Sequence, residues 1–348
     1  GFFYFIGGTP ETGFELFRTN GSKGNVELVE DMTAGTDGTM VQDFYPHGDY
    51  HYFFRKDGED AGLYRAGGDP FEMTRVSTTT GEFILGVMDD YFYFARRGAL
   101  SRIPVTGGSF QTILSNTLSG NYPKRGYELD GWFYYGGNGW AGDGLLKTNG
   151  TTGGTYVVKD MSSLEEMVKI GDQLIIRGGT ADTGLELFVS DGTTGGTRLV
   201  KDINPGSDDS VPGYQSDERV PLTVDGDAVY FSAISADNGH ELWKSDGTPE
   251  GTQMVRDLAH NDGTREPVLV AQDGHFVLMA AKNGLGDFSL LISDGTTSGT
   301  FDGGGFPQPR HLDGIAIVDE TAYIGGQVIR AWNLKSGESR QLMEPDYR

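Results

Sequence analysis

Two stretches, ELFVSDGTTGGTRLVKD (186–202) and ELWKSDGTPEGTQMVRD (241–257), decide the fold of this chain. Each has an apolar run, a turn of the form S-D-G-T, a G-T pair and a second apolar run that ends in Asp. Related copies read TNGTTGGTYVVKD (148–160) and ISDGTTSGT (292–300). A Gly/Asp turn between two short apolar runs is typical of a β-hairpin, so each copy predicts two antiparallel strands.

A second pattern, an acidic or glycine turn followed by a dense aromatic and β-branched run, precedes these hairpins. The second residues of the turns are spaced 41, 41, 41, 55, 47 and 46 residues apart. FFYFIGG (2–8) is an eighth copy without its turn. With a further short apolar run before each turn, every unit is predicted to hold four strands, a to d. The seven complete copies are GDYHYFF (48–54), DDYFYFA (89–95), DGWFYYG (130–136), GDQLIIR (171–177), GDAVYFS (226–232), DGHFVLM (273–279) and DETAYIG (319–325).

Four antiparallel strands every 41–55 residues predict an all-β fold, a β-propeller of four-stranded blades. One such sheet is too small to bury its own faces, whereas blades arranged radially cover each other. Eight copies predict eight blades within one domain spanning residues 1–348, and seven blades is the alternative. The predicted units are approximately 1–39, 40–80, 81–121, 122–162, 163–218, 219–264, 265–310 and 311–348.

The first unit lacks the innermost strand a, because its strand-b run starts at residue 2. Either upstream residues supply that strand, or the first blade has three strands. The chain also starts without Met, so we expect it to be processed or trimmed, and part of a larger protein or assembly.

Composition excludes several classes of function. The chain has 27 Lys+Arg against 50 Asp+Glu, a net charge of −23, which argues against nucleic-acid binding. It contains no cysteine, which excludes disulfides, thiol catalysis and Cys-ligated metals. No window approaches 18 consecutive apolar residues, so no membrane span is predicted.

The runs at 186–202 and 241–257 closely resemble the bacterial ELWxxDGT repeat family, and units 1, 4, 5, 6 and 7 carry the motif recognisably. The resemblance implies a large secreted or cell-surface bacterial protein with a propeller fold. It implies no general activity and no catalytic residues.

The motif has a structural explanation. Leu242 and Trp243 are expected to face opposite sides of strand c, and Asp246 to cap the turn into strand d through backbone N–H groups. The same role is predicted for Asp191 and Asp294, with Asn substitutes in two other units. Repeated calcium binding by these turns is the alternative, which the substitutions weaken because calcium prefers carboxylates. The Asn substitutes are Asn20 and Asn149.

The b–c and d–a loops of a propeller lie on one face, and here they are the variable segments. The longest departure from the repeat falls in residues 203–219. Loops on a rigid scaffold usually carry binding, so ligand contacts are predicted there. Aromatic residues to stack on a sugar ring are Trp140, Tyr122 and Tyr214, and cations to hold a carboxylate or sulfate are Lys124, Arg125 and Arg219.

Adjacent carboxylates Asp208 and Asp209 are the predicted calcium site, since calcium takes six to eight oxygen ligands. The alternative is a solvated acidic surface. No organic cofactor is expected, because no nucleotide-binding or metallohydrolase motif occurs. A lyase-like set of His260, Tyr214 and Arg219 is conceivable as base, acid and charge neutraliser, although nothing in the sequence shows that they converge.

These observations predict a non-catalytic extracellular module that binds a glycan or protein at the bacterial cell surface, with calcium as a possible aid. A lyase or hydrolase acting on an anionic polysaccharide is the first alternative. A structural subunit of an extracellular assembly is the second.

Overall fold

A computed structural model shows an all-β chain. It describes residues 3–19, 25–33, 35, 38–56, 58–68, 71–115, 118, 125–137, 143–211, 221–236, 239–256, 266–272, 277–282, 288–306, 312–318, 321–326, 329–333 and 338–343. Within these ranges the only helical element is one 3-10 turn, Thr152–Gly154. The described chain divides into two compact units, Gly1–Leu118 with Asn149–Gly154, and Ser119–Thr148 with Thr155–Arg348.

The first unit contains three antiparallel sheets. The first sheet has three strands, β1 (Phe3–Thr9), β2 (Gly13–Thr19) and β3 (Val26–Glu30). The second has β4 (Val41–His47), β5 (Tyr50–Arg55), β6 (Gly62–Gly67) and β7 (Glu72–Ser77). The third has β8 (Phe83–Met88), β9 (Tyr91–Arg96), β10 (Ala99–Pro104) and β11 (Gln111–Leu114).

The second unit contains five four-stranded antiparallel sheets. The fourth sheet has β12 (Tyr127–Leu129), β13 (Trp132–Gly137), β14 (Gly144–Thr148) and β15 (Thr155–Asp160). The fifth has β16 (Ser163–Ile170), β17 (Gln173–Thr180), β18 (Gly184–Ser190) and β19 (Arg198–Lys201). The sixth has β20 (Thr223–Asp225), β21 (Ala228–Ser235), β22 (Gly239–Ser245) and β23 (Gln253–Arg256). The seventh has β24 (Glu266–Gln272), β25 (Val277–Lys282), β26 (Phe288–Ser293) and β27 (Phe301–Phe306), and the eighth has β28 (Leu312–Val318), β29 (Thr321–Gly326), β30 (Ile329–Asn333) and β31 (Ser339–Met343).

Strand order within every sheet follows chain order, as the repeat predicts. Each sheet also lies within one of the eight units drawn from the sequence. The three described strands of the first sheet occupy the positions of strands b, c and d. That all 348 residues form one domain stays a prediction.

The strands of each sheet have two distinct ends. We call the end that bears the a–b and c–d turns the turn end, and the end that bears the b–c loop and the d–a connection the loop end. Two residues separate strand a from strand b in the second to sixth sheets, and the tight reversal places Asp89, Asp90 and Asp130 at positive φ (50°, 58° and 50°). Asp tolerates this left-handed conformation better than most residues, which explains the acidic turn signature.

A β-bulge recurs where strand c pairs with strand d, at corresponding positions in all eight sheets. In the fifth sheet it falls between Leu187 and Phe188, and in the sixth between Leu242 and Trp243. A bulge adds one residue to one strand and increases its local twist. The apolar pair of the motif therefore marks a repeated bend in the sheet.

Apolar clusters lie between the first and second, second and third, fourth and fifth, and fifth and sixth sheets. In the fifth sheet strand b is buried on both faces, as its continuous apolar sequence predicts, and the side chains of Leu174, Ile175 and Ile176 in β17 are all inaccessible to solvent. Ile176 and Leu174 pack towards the fourth sheet, while Ile175 packs with Phe231 and Trp243 of the sixth. In the second to sixth sheets, burial of strand b on both faces contributes most to stability.

None of the helical structure in the described ranges is long and apolar enough to cross a membrane.

Candidate functional site

The c–d turn at the turn end is a closed hydrogen-bonded unit. In the fifth sheet, Asp191 Oδ1 accepts bonds from Thr193 N (2.9 Å) and Thr193 Oγ1 (2.7 Å). Thr193 Oγ1 in turn accepts a bond from Gly196 N (3.0 Å), and Thr197 Oγ1 lies 2.7 Å from Ser190 Oγ. Every polar side chain of S-D-G-T-x-x-G-T is thus used inside the turn.

The spacing of the motif follows from close packing around the aspartate. A Cβ built on Gly196 would lie 1.9 Å from Asp191 Oδ1, and one on Gly251 would lie 2.0 Å from Asp246 Oδ1. Only glycine fits there, so the G-T pair is fixed relative to the aspartate. The hydrogen bonds from threonine lower the pKa of Asp191 and Asp246. These contacts support the structural role predicted for the motif.

The same turn also joins neighbouring sheets. Tyr134 Oη and Lys147 Nζ of the fourth sheet donate to the carbonyl of Gly192, at 3.1 and 3.3 Å. In the sixth sheet, Lys244 Nζ donates to the carbonyl of Gly295 in the next turn, at 2.6 Å. The carbonyl oxygens of these two turn glycines are therefore already occupied by structural contacts.

Cations stacked on aromatic rings reinforce the turn end. Arg65 lies 4.8 Å from the ring centre of Tyr50, and Arg102 lies 4.4 Å from that of Tyr91. Lys147 occupies the corresponding position over Trp132, at 4.8 Å. In each case the cation belongs to strand c and the ring begins strand b, so the pair stabilises one sheet rather than marking a separate binding site.

The loop end of the fifth sheet is built around a buried glutamate. We call residues 202–211 the fifth-sheet connection. Glu186, the first residue of the ELF motif, is inaccessible to solvent. Its carboxylate accepts bonds from Ile203 N and Asn204 N, both at 3.4 Å, at the start of the connection. At the other end, the hydroxyl of Ser210 donates to the carbonyl of Leu185, the residue before Glu186, at 3.5 Å. Two adjacent residues of strand c thus hold the two ends of the connection.

Backbone and apolar contacts complete this anchoring. Asp209 Oδ1 accepts a bond from Leu185 N (2.7 Å), and the carbonyl of Leu185 accepts bonds from Ser210 N (3.0 Å) and Val211 N (3.1 Å). Val211 and Ile203 are buried in the cluster between the fifth and sixth sheets. The tip between these anchors, residues 205–209, is exposed.

The first sheet repeats this arrangement at the first-sheet connection, residues 31–40. Glu15, the first residue of its own ELF motif, is also inaccessible to solvent. Its two carboxylate oxygens accept bonds from Met32 N and Thr39 Oγ1, each at 3.0 Å. Met32 and Thr39 correspond to Ile203 and Ser210, so strand c holds the same two points of both connections, through Glu15 in the first sheet and through Glu186 and Leu185 in the fifth.

Burial changes the acidity of Glu186. Loss of solvation raises its pKa from 4.5 to about 7, and the nearby charge of Asp202 acts in the same direction. Hydrogen bonds from Ser210, Asn204 and Ile203 oppose the shift. A pKa near neutrality often marks a catalytic group, but recurrence of the buried glutamate in the first sheet indicates an anchoring role.

Most of the ligand and catalytic residues predicted from the sequence lie outside the described residues: Trp140, Tyr122, Tyr214, Lys124, Arg219 and His260. Of the remaining three, Arg125 is half-buried before β12, and Asp208 and Asp209 are exposed. Asp209 has a structural partner in Leu185 N. The described residues contain no group of three or more His, Asp or Glu side chains placed to hold a metal. The calcium, glycan and lyase assignments therefore stay predictions.

The buried glutamates are the residues that sequence reasoning missed. A signal for them exists: DMTAGTDGT (31–39) and DINPGSDDS (202–210) share Asp, Gly and Ser/Thr at matching places. Both follow a hairpin that begins with Glu, and Glu241 begins a third such hairpin and is likewise buried. Because a similar connection sequence occurs after hairpins that begin with Glu, the sequence indicates that the glutamate contacts the connection.

Comparison with solved structures identifies proteins that have a similar fold. No family model matches the chain, and no curated protein matches it either. Among solved structures, BamB from Moraxella catarrhalis superposes with a TM-score of 0.53 at 13% identity, covering 87% of this chain and 89% of BamB. Sqt1 from Saccharomyces cerevisiae gives 0.52 at 12% identity, covering 88% and 86%.

Oligopeptidase B from Leishmania major gives a TM-score of 0.56 at 13% identity, covering 89% of this chain but only 49% of the peptidase. BamB is a β-propeller, and the peptidase contains one. Together with the eight consecutive antiparallel sheets, this likeness shows that the chain has a β-propeller fold. At these identities the comparisons concern the fold alone.

Proposed function

We propose that the chain is a non-catalytic module that binds a protein partner through the loop ends of its sheets. One observation carries this proposal: the segments between strands are similar in length at the turn end and vary widely in length at the loop end. The c–d turns of the eight sheets span four to seven residues between strands, and those of the fifth, sixth and seventh sheets span seven each. The d–a connections range from two residues, between Asp160 and Ser163, to 21, between Lys201 and Thr223.

Variable segments on a regular scaffold are where proteins usually place recognition. The turn end is unsuited to that role, because its backbone and side-chain groups are already paired with each other and with neighbouring sheets. The loop end instead presents exposed tips, of which residues 205–209 are the clearest described example.

Protein recognition is the version that we favour over glycan recognition. The aromatic residues that would stack on a sugar lie outside the described part of the chain, so no described contact supports a glycan. The net charge of −23 favours a partner with a basic surface. A location at the bacterial cell surface, and membership of the ELWxxDGT repeat family, form part of the same proposal and rest on the repeat resemblance.

Site-specific photo-crosslinking tests the proposal. A photoreactive residue is placed at Asp182 or Ser207, which are exposed at the loop end, and at Asp172 or Glu250, which are exposed at the turn end. We expect a partner to be crosslinked from the loop end only. The identified partner, purified, should then bind at least tenfold more weakly to Ser207→Arg, with Asp172→Arg unchanged.

Crosslinks from the turn end alone would contradict the proposal. So would turnover of a polysaccharide by the purified chain, which would favour the lyase or hydrolase alternative.

A further inference from the structure

The first-sheet connection ends in Met40, an apolar residue that faces solvent. Met40 is 65% exposed, the highest value among the large apolar residues in the described part of the chain. The other exposed members of this set all lie in strands d: Val26, Leu28, Tyr156 and Val157. Met40 therefore gives the loop end a flexible apolar side chain of the kind that protein-binding surfaces often use.

The fold itself does not require this exposure. Met40 occupies the place that Val211 occupies in the fifth-sheet connection, yet Val211 is inaccessible to solvent. The backbone of Met40 is fixed, because its carbonyl accepts a bond from Lys56 N at 3.0 Å. The side chain consequently stands beside the b–c loop of the second sheet, residues 56–61, which we call the second-sheet loop.

Three side chains hold the second-sheet loop in place. Tyr64 Oη donates to the carbonyl of Asp60 at 2.8 Å, and Arg75 donates to the carbonyl of Glu59 at 3.3 Å. Arg55 and Arg75 each lie 3.7 Å from the carboxylate of Asp60. The loop thus presents its two exposed carboxylates in fixed positions, which reduces the entropy that binding would cost.

Arg55 also joins the second-sheet loop to the first-sheet connection. Its guanidinium, which is 9% exposed, donates to Thr33 Oγ1 at 3.2 Å. Thr33 Oγ1 lies 2.6 Å from Thr39 Oγ1, which donates to Glu15 at 3.0 Å. The two loop-end segments of these neighbouring sheets are therefore parts of one hydrogen-bonded surface.

The exposed charge on this surface is negative. Glu59 and Asp60 are exposed, and the side chain of Asp60 is 63% accessible. Nearby cations are directed inward, since Lys56 Nζ donates to the carbonyl of Gly81 and Arg55 is buried. An apolar side chain beside fixed carboxylates is complementary to an apolar residue flanked by lysine or arginine.

We infer that Met40, Glu59 and Asp60 form a docking patch for a basic segment of the partner protein. An apolar residue of that segment packs on Met40, and its lysines or arginines face the two carboxylates. The inference rests on the proposed function, because it names the contact surface and the chemistry of the same partner. The net charge of −23 would draw such a segment towards the chain.

Two matched pairs of substitutions test the patch. Met40→Ser removes its apolar side chain, and Val26→Ser removes an exposed apolar side chain at the turn end of the first sheet. Glu59→Lys reverses a charge in the patch, and Glu72→Lys reverses an exposed charge at the turn end of the second sheet. All four residues are exposed, so the variants should unfold at the same temperature as the unaltered chain.

The probe is the purified partner that crosslinking from the loop end identifies, with Asp31 added to the loop-end positions because it is exposed in the first-sheet connection. We expect the affinity, measured by titration calorimetry, to fall at least about tenfold for Met40→Ser and Glu59→Lys. It should stay within about twofold for Val26→Ser and Glu72→Lys. Added salt should weaken binding of the unaltered chain more than binding of Glu59→Lys, because salt screens charge contacts.

Unchanged affinity in Met40→Ser or in Glu59→Lys would overturn the inference, as would equal losses in the turn-end variants. A gain of affinity in Glu59→Lys would also overturn it, since that gain indicates an acidic partner segment. In each of these cases a partner captured from the loop end would leave the proposed function standing. If no loop-end position captures a partner, the proposed function fails and the inference fails with it.

Discussion

The c–d turn of the fifth sheet and the fifth-sheet connection are similar in composition but differ in how they are held. Both are rich in Gly, Asp, Ser and Thr. In the turn, Asp191, Thr193 and Thr197 satisfy one another within eight residues. In the connection, the anchors are Leu185 and Glu186 of strand c.

This difference explains why one segment repeats and the other varies. A turn whose partners lie within itself folds in the same way in the fifth, sixth and seventh sheets, where S-D-G-T-x-x-G-T or its close variant recurs. A connection held at its two ends by strand c leaves the residues between those ends unconstrained. Variation in length and tip sequence is tolerated there, which suits a recognition surface.

The largest expected effect comes from removing an anchor. Glu15→Ala would leave the half-buried Met32 N and the buried Thr39 Oγ1 without this acceptor and create a cavity. We expect a loss of about 3 kcal/mol in the free energy of unfolding, measured by denaturant titration. Glu27→Ala, which removes an exposed ion pair with Arg18, is the control and should cost below about 0.5 kcal/mol. Equal effects would refute the anchoring role.

Two adjacent glycines in the c–d turn of the fifth sheet test how closely that turn is packed. Alanine at Gly196 would collide with Asp191 and displace its carboxylate from both threonine bonds, whereas a Cβ at Gly195 meets nothing within 4 Å. Gly196→Ala should destabilise the protein by about 2 kcal/mol. Gly195→Ala should be close to neutral in the same thermal or chemical unfolding experiment. A neutral Gly196→Ala would show that the turn is not closely packed.

The fifth-sheet connection and the c–d turns should differ in how their contributions to the free energy of unfolding depend on pH. The pKa of Glu186 is raised by folding, so its contribution favours the folded state below about pH 7 and is lost as pH rises through that value. Relative to Glu186→Gln, the unaltered protein should lose roughly 1–2 kcal/mol in free energy of unfolding between pH 5 and pH 8. An increase over that range would contradict the burial argument.

The contribution of the turn aspartates to stability should change with pH in the opposite direction, falling as pH falls. Hydrogen bonds lower the pKa of Asp294 as they do for Asp191, so their stabilisation is present at neutral pH and is lost only on acidification below the ordinary range of aspartate.

The smallest effect is expected from Asp246→Asn. Asn149 already occupies the corresponding place, where its Oδ1 accepts bonds from Thr151 N (3.1 Å) and Thr151 Oγ1 (2.7 Å). The substitution should therefore change the free energy of unfolding by less than about 0.5 kcal/mol. Asp246→Ala, which removes the acceptor, serves as the comparison and should cost about 1 kcal/mol. A large cost for Asn would mean that the carboxylate charge itself is required.

Much of the fold could be predicted from the sequence because the signals are local. Tight turns such as Asp89-Asp90 and apolar strand-b runs such as Leu174–Ile176 depend on neighbours in the chain and on the period of the repeat. The three-stranded first sheet followed from the same repeat, since one run was absent from it. Local rules place these elements without knowledge of long-range contacts.

The loop end was predicted less well for a physical reason. Glu186 lies in a strand beside a turn, where a carboxylate is normally solvated, and its burial depends on residues 17 to 24 positions later folding back over it. Asp209 accepts a hydrogen bond from the N–H of Leu185, a partner that side-chain pattern alone does not predict, and calcium binding by Asp208 and Asp209 stays a prediction.

Hydrogen–deuterium exchange of the full chain, with and without the partner identified by crosslinking, tests the division between the two ends most directly. We predict that segments 190–197 and 245–252 at the turn end are protected to the same extent in both states. Residues 205–209 should exchange rapidly alone and become protected in the complex. Protection gained at the turn segments, with none at the loop-end tip, would contradict the account.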